Sequence, residues 1–241
     1  MGWRLTTCEI SPRTCWKWYD LQYAIGLCLL AIKIIFVAMG NLIIIGARAM
    51  GRETFSYARD AGMTIKGFLD SNAEILNAFG GYAPILGLVE DYSVEPGDVF
   101  VCALGEPEVK RKYVGIIAAK GGMFASVIHP TAYVGQNVQI GTGCIVCPHA
   151  TITNDTSIGS HVVVNVNASI NHDCRIGDFT TICPGCHLAG RVTLGDSTFL
   201  GVGVSLIPDV SLGKGVYVAA GATVTKSFER GRLKGTPATL M

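Results

Sequence analysis

The chain has 241 residues, of which 49% are hydrophobic and only 15% charged, and its formal net charge is +1. This composition supports a sizeable core and excludes wholesale disorder, while the near-neutral charge lacks the basic stripe that a nucleic-acid partner requires. Nine cysteines, an odd count in a chain of this length, do not describe a secreted disulfide framework. They point instead to reduced thiols and a cytoplasmic protein.

Residues 1–20 show no hydrophobic period. Tyr23 to Ala38 then form a mostly apolar run broken by Lys33, shorter than the roughly 20 residues that cross a bilayer comfortably. No small-residue signal-peptidase site accompanies it. The run abuts a first predicted strand almost directly, so residues 1–38 are expected to lie outside the fold, either as an upstream start or as a disposable extension, with the first domain beginning at Met39. A membrane partner is expected only if residues 21–38 are a true anchor.

Residues 39–126 alternate strand and helix. Asn41–Ile45 is an aliphatic run closed by Gly46, and Arg52 to Ala61 follows with helical spacing. Thr64 to Leu69 and Asp98 to Leu104 read as further buried strands. Glu106 to Lys120 reads as a helix with Val109, Tyr113, Ile116 and Ile117 on one face and Gly121 and Gly122 at its end. Met123 to Ile128 reads as one more strand. The alternation predicts a parallel sheet of Rossmann type. Gly46, Arg48 and Gly51 lie in the first strand-to-helix turn, where amides can face a phosphate. Arg48 stands where a dinucleotide motif has its second glycine, so an ordinary turn remains an equal alternative. Asp70 closes the second strand and is either a ribose or base acceptor or a turn cap.

From Tyr133 onward an aliphatic residue falls at every sixth position without a break, from Val134, Ile140 and Val146 through Ile170, Ile176 and Ile182 to Val218 and Val224. A period of six excludes both an amphipathic helix and an ordinary half-buried strand, and it predicts a parallel β-helix of about five coils over residues 127–241. Small residues such as Cys144, Ala150, Cys174 and Cys186 fall at a second inward position. The two C-x-x-C pairs (Cys144 with Cys147, Cys183 with Cys186) are therefore read as packing residues. Cys147 and Cys183 stand two coils apart, about 9–10 Å, too far to share one metal at about 2.3 Å from each thiolate.

Five histidines are candidates for proton transfer. His129 is expected to make structural hydrogen bonds, His149 and His161 to be surface residues, and His187 to lie on a different side from His172. His172 is followed by Asp173, and contact between their side chains requires a corner of the coil rather than a strand, where neighbours point to opposite faces.

The segments LIIIGARAMGRE, KGFLDSN, VIHPTA, NHDCRIGDF, PGCHLAG and GTPA, together with the hexapeptide period, resemble the hexapeptide-repeat acyltransferase superfamily, in its NeuD/PglD-type sugar acetyltransferase branch. The resemblance covers roughly residues 39–241. It implies an α/β N-terminal Rossmann-like domain followed by a left-handed parallel β-helix. It also implies acetyl-CoA as co-substrate without a metal, a nucleotide-linked amino sugar as acceptor in surface-polysaccharide or glycan biosynthesis, direct transfer, and a homotrimer with CoA in the groove between helices. It gives His172 the role of general base and Asp173 that of its orienting partner. Asn165 would line the acceptor sugar, and the first domain, with Gly46, Arg48, Gly51 and Asp70, would bind the nucleotide part of the activated sugar or the sugar itself. Gly190 would offer an amide to the thioester, and Thr181, Ala220 and Lys234 would lie along the cofactor. Thr181 replaces the second histidine common in the branch, and Thr239 replaces a terminal basic residue. Acetylation of a sialic acid or other hydroxyl remains an alternative, as does a non-catalytic sugar-binding scaffold. A metal-dependent lyase on the same fold is disfavoured by the histidine spacings.

Overall fold

The computed structural model describes residues 40–235 and the strand Thr239–Leu240, all within one compact unit, Met39–Met241. The readings made for residues 1–38, and for Thr236, Pro237 and Ala238 of the terminal motif, lie outside the described residues.

The α/β part forms as expected, with elements β1 (Asn41–Ile45), α1 (Ala49–Asp60), β2 (Ile65–Leu69), β3 (Ile85–Gly87), β4 (Asp98–Cys102), α2 (Pro107–Ala119) and β5 (Met123–Phe124). The parallel sheet runs β3-β2-β1-β4-β5. Its central strands are buried over most of their length, which is why they read as aliphatic runs rather than alternations. Strand β3 was not anticipated; three residues, only partly buried, leave no period to detect.

Two expectations need correction. Met123 to Ile128 is not one strand. β5 pairs with β4, whereas β6 (Val127–Ile128) pairs with Ile145–Val146 as the first rung of the β-helix, and the chain changes sheets at Ala125 and Ser126. Helix α2 buries Pro107, Lys110, Val114 and Ile117, while Val109 is 42% exposed. The buried face is thus rotated from the expected one and includes Lys110.

From β6 onward the chain coils through two-residue strands that lie on three flat sides. The first side includes Val163–Val164 and Thr181–Ile182, the second Ser169–Ile170 and His187–Leu188, the third Arg175–Ile176 and Thr193–Leu194. Each rung pairs in parallel with the residue 18 positions on, as in Ile152 with Ile170 and Ile158 with Ile176. The sixth-position aliphatics therefore stack in columns inside the prism, and nearly all from Val146 onward are fully buried. Each contributes roughly 1.5–3 kcal/mol of hydrophobic stabilisation. Cys144 and Cys186 fill the interior as expected, their thiols reaching the carbonyls of Gly159 at 3.1 Å and Gly201 at 3.0 Å. Burial pushes the Cys144 thiol up to about 11 and Cys147 to about 12.

Helix α2 docks onto the corner where the third side turns into the first. Arg111 lies 4.1 Å over the Phe179 ring and donates to Ser197 Oγ at 2.8 Å. His161 is stacked on Phe179 and meets Phe124 edge-on, with ring centroids 4.9 and 4.7 Å apart. The surface position expected for His161 is thus corrected: it is 8% exposed, sandwiched between the two parts of the fold. Desolvation, helped by the nearby Lys110 ammonium, pulls the His161 pKa from 6.5 down to about 4. The site accepts only the neutral imidazole, so below pH 6.5 the unfolded chain gains a proton that the folded one refuses. Stability present above pH 6.5 is then lost progressively down to pH 4, by about 3 kcal/mol at 1.36 kcal/mol per pH unit. Denaturant melts between pH 7 and 4 are expected to show this loss in the wild type and a flatter response in His161→Phe.

Candidate active site

His172 and Asp173 occupy the corner between the second and third sides, in the turn from Ser169–Ile170 to Arg175–Ile176. Asp173 has φ +62°, a left-handed conformation that breaks the strand alternation and lets its carboxylate fold back on its neighbour. His172 Nδ1 lies 2.7 Å from Asp173 Oδ2. An ionised carboxylate only accepts, so Nδ1 carries the proton and Nε2 presents its lone pair outward. Both side chains are about half exposed, at 54% and 55%.

One coil further on, Gly190 lies directly against the imidazole. A Cβ built there would stand 2.6 Å from His172 Cε1 and 2.7 Å from Nε2. The ring thus lies over bare backbone, which only glycine allows. The Gly190 N–H makes no hydrogen bond among the described residues, as is also true of the Asn154 and His172 N–H groups on the same corner, although other turns are capped. Gln136, Ser160 and Asp178 donate their N–H groups to the side chains of Asn154, Asp178 and Asp196, each 18 positions on. Position 208 is a proline and offers no such acceptor. Bare backbone beside the imidazole leaves room for a thioester carbonyl to approach the ring. Gly190→Ala is expected to displace the His172 ring and lower kcat about 10- to 100-fold, the cost of misplacing a reacting group by roughly 1 Å, with the melting temperature nearly unchanged.

A cavity of about 330 Å³ opens at the carboxyl ends of the α/β sheet strands, lined by Gly46, Arg48, Asp70, Glu90, Leu104 and Tyr113 among others. It sits where the strand order reverses between β1 and β4, the usual ligand crevice of such sheets. Gly46 takes φ +93° here. Asp70 accepts from the N–H groups of Ala47 at 2.8 Å and Asn72 at 3.0 Å, so it shapes the turn as well as lining the cavity. Gly51 is a correction: it does not line the cavity, and a Cβ there would lie 1.9 Å from the Gly46 carbonyl oxygen. Its role is to let α1 pack against the turn.

Thr181 also departs from expectation. It is 2% exposed, and its hydroxyl donates to the Gly105 carbonyl at 2.7 Å while accepting from Lys110 Nζ at 3.0 Å. A side chain enclosed under α2 is closed to a cofactor, so the residue joins the two parts of the fold instead. Asn165 and Ala220 lie at the corner between the first and second sides, one side of the prism away from His172. A single protomer therefore does not bring Asn165 to the dyad. Lys234 is exposed on the last parallel rung of the first side, Arg232–Lys234. Thr239 begins the antiparallel strand that pairs with it. Of the other histidines, His149 is exposed, and His129 bonds Thr131 and Asp60 as a structural residue. His187 stands on the second side, its Nδ1 2.8 Å from Ser169 Oγ.

Sequence reasoning missed Lys110, fully buried and donating to the His161 carbonyl and Thr181. It also missed the pair Arg191–Asp209, which stands on the same corner as His172.

A hexapeptide prism with a His–Asp pair against bare backbone, joined to a parallel sheet with an open crevice, is the build of a hexapeptide-repeat acyltransferase. The chain is similar to that superfamily in both parts, its first domain being of PglD type. The model for the PglD N-terminal domain matches residues 41–117, and that for the bacterial transferase hexapeptide (six repeats) matches residues 191–226. The chain is similar to PerB from Caulobacter crescentus, solved with CoA and GDP-perosamine, at 29% identity over 85% of this chain and 98% of that one, with a TM-score of 0.78. It is similar to the acetyltransferase domain of PglB from Neisseria gonorrhoeae, solved with acetyl coenzyme A, at 28% identity over 84% and 100% of the two chains, TM-score 0.77. WeeI from Acinetobacter baumannii aligns at 25% identity over 83% and 99%, TM-score 0.74. No curated protein sequence matches the chain.

Proposed function

We propose that this enzyme transfers an acetyl group from acetyl-CoA to the amine of a nucleotide-linked amino sugar. The observation that carries the reading is the His172–Asp173 pair lying against the bare backbone of Gly190. His172 Nε2 takes a proton from the attacking amine as nitrogen bonds to the thioester carbon. The oxyanion is met by the Gly190 N–H, and the tetrahedral adduct collapses with cleavage of the C–S bond. The CoA thiolate leaves with the proton held by His172. Asp173 keeps the proton on Nδ1 and favours the imidazolium that forms. The crevice at Gly46, Arg48 and Asp70 receives the nucleotide part of the acceptor. Lys234 and Ala220 lie along the CoA path. Because Asn165 is one prism side from the dyad, the reading takes the neighbouring copy in a homotrimer to complete the acceptor site. A cytoplasmic role in glycan biosynthesis follows from acceptors of this kind. No helix among the described residues is long and apolar enough to cross a membrane.

The test is product analysis over a panel of nucleotide-linked 4-amino sugars and sialic acid. A product one acetyl group heavier that resists hydroxylamine, as an amide does, supports the reading. A hydroxylamine-labile ester places the acetyl group on oxygen and overturns it.

A further inference from the structure

The corner that holds His172 and Asp173 continues through the next two coils as a column of charged, left-handed residues. Asp173, Arg191 and Asp209 follow at 18-residue intervals with φ of +62°, +62° and +65°. Arg191 grips Asp209 with both arms of its guanidinium, Nε to Oδ1 at 2.6 Å and an Nη to Oδ2 at 2.8 Å. Its backbone N–H donates to the His172 carbonyl at 2.9 Å, and the Asp209 N–H donates to the Gly190 carbonyl at 3.2 Å. The pair is thus tied by backbone to both halves of the candidate site. It lies half exposed, with side-chain accessibilities of 52% and 63%, so its value as a stabilising salt bridge is small.

We infer that Arg191, held by Asp209, is a positioning residue for the His172–Asp173 pair, and that its fixed charge acts on the proton that His172 exchanges. The role rests on the reading of His172 as the base. The charged groups facing this corner are Asp155 from the preceding coil, Arg175 at the start of the next strand, and Asp173, Arg191 and Asp209 of the column. Asp155 is engaged by the Asn137 amide at 2.9 Å. The Arg191 cation opposes the attraction between Asp173 and an imidazolium at His172, and Asp209 limits that opposition.

The signs follow from charge alone. Removing the Arg191 cation favours the imidazolium, and removing the Asp209 anion disfavours it. The experiment is an NMR titration of the His172 ring in the ligand-free full chain. Arg191→Gln should raise its midpoint and Asp209→Asn should lower it, each by about 0.3–0.6 of a pH unit, as for one charge one or two strand spacings away in a watery setting. Arg191→Lys, which keeps the charge, should leave the midpoint near the wild-type value. Opposite movements in the first two variants support the inference, and any other pattern overturns it. If Arg191→Gln does not fold, the Asp209→Asn direction alone decides. The acid limb of the kcat/KM profile should move with the same signs. Since the titration needs no turnover, failure of the charge coupling and failure of the acetyl-transfer reading are separately visible.

Discussion

Replacing His172 by alanine is expected to lower kcat for acetyl transfer by about 10²–10⁴-fold, the usual worth of a positioned general base. The side chain is half exposed and bonded only to its neighbour Asp173, so its loss removes little packing. The melting temperature should therefore stay near the wild-type value, and binding of CoA should persist. Asp173→Asn should also lower the rate, because the amide can present its NH2 to Nδ1 and so favour the tautomer with Nε2 protonated. The rates of both variants, measured as thiol release, check this. A His172→Ala enzyme with full turnover would remove the dyad from the chemistry.

The largest effect on stability is expected at Lys110. Its side chain has no exposed surface, and its ammonium donates to the His161 carbonyl and Thr181 Oγ1, both at 3.0 Å. Lys110→Ala leaves a cavity and orphans acceptors between the two parts of the fold, a combined cost of about 3–5 kcal/mol. Lys110→Met keeps the volume and should cost far less. Burial outweighs the hydrogen bonds for the charge itself and lowers the Lys110 pKa from 10.5 to about 8. Below pH 8 the buried charge is present and its cost is full. Between pH 8 and 10.5 the unfolded lysine still holds a proton that the folded one has released, so stability rises with pH. The wild type should gain about 3 kcal/mol over Lys110→Met across that window at 1.36 kcal/mol per pH unit. Comparing the two proteins cancels the buried thiols, which titrate in both. Denaturant unfolding at pH 7.5, 9 and 10 measures it.

The prism was legible because a period of six has no other physical reading, and its columns of Ile and Leu were identified residue by residue. The dyad was legible as a pair of neighbours but not as a contact, since the contact depends on the left-handed turn at Asp173. His149 and His161 hold equivalent positions in the repeat, and nothing local separates them. Only α2, arriving from a distant part of the chain, buries one and leaves the other exposed. Lys110 was invisible for the same reason: its acceptors lie 51 and 71 residues away. Thr181 looked like a vacancy in a cofactor site, but its hydroxyl is the hinge of that same junction. What the sequence hid were contacts made between the two parts of the fold, where local period carries no information.

The most direct test of the account is release of free thiol from acetyl-CoA by the wild-type protein, with and without a nucleotide-linked 4-amino sugar. The account predicts thiol release that depends on the sugar, matched one for one by N-acetylated product. Folded protein that binds CoA yet releases no thiol with any amino-sugar acceptor would contradict it.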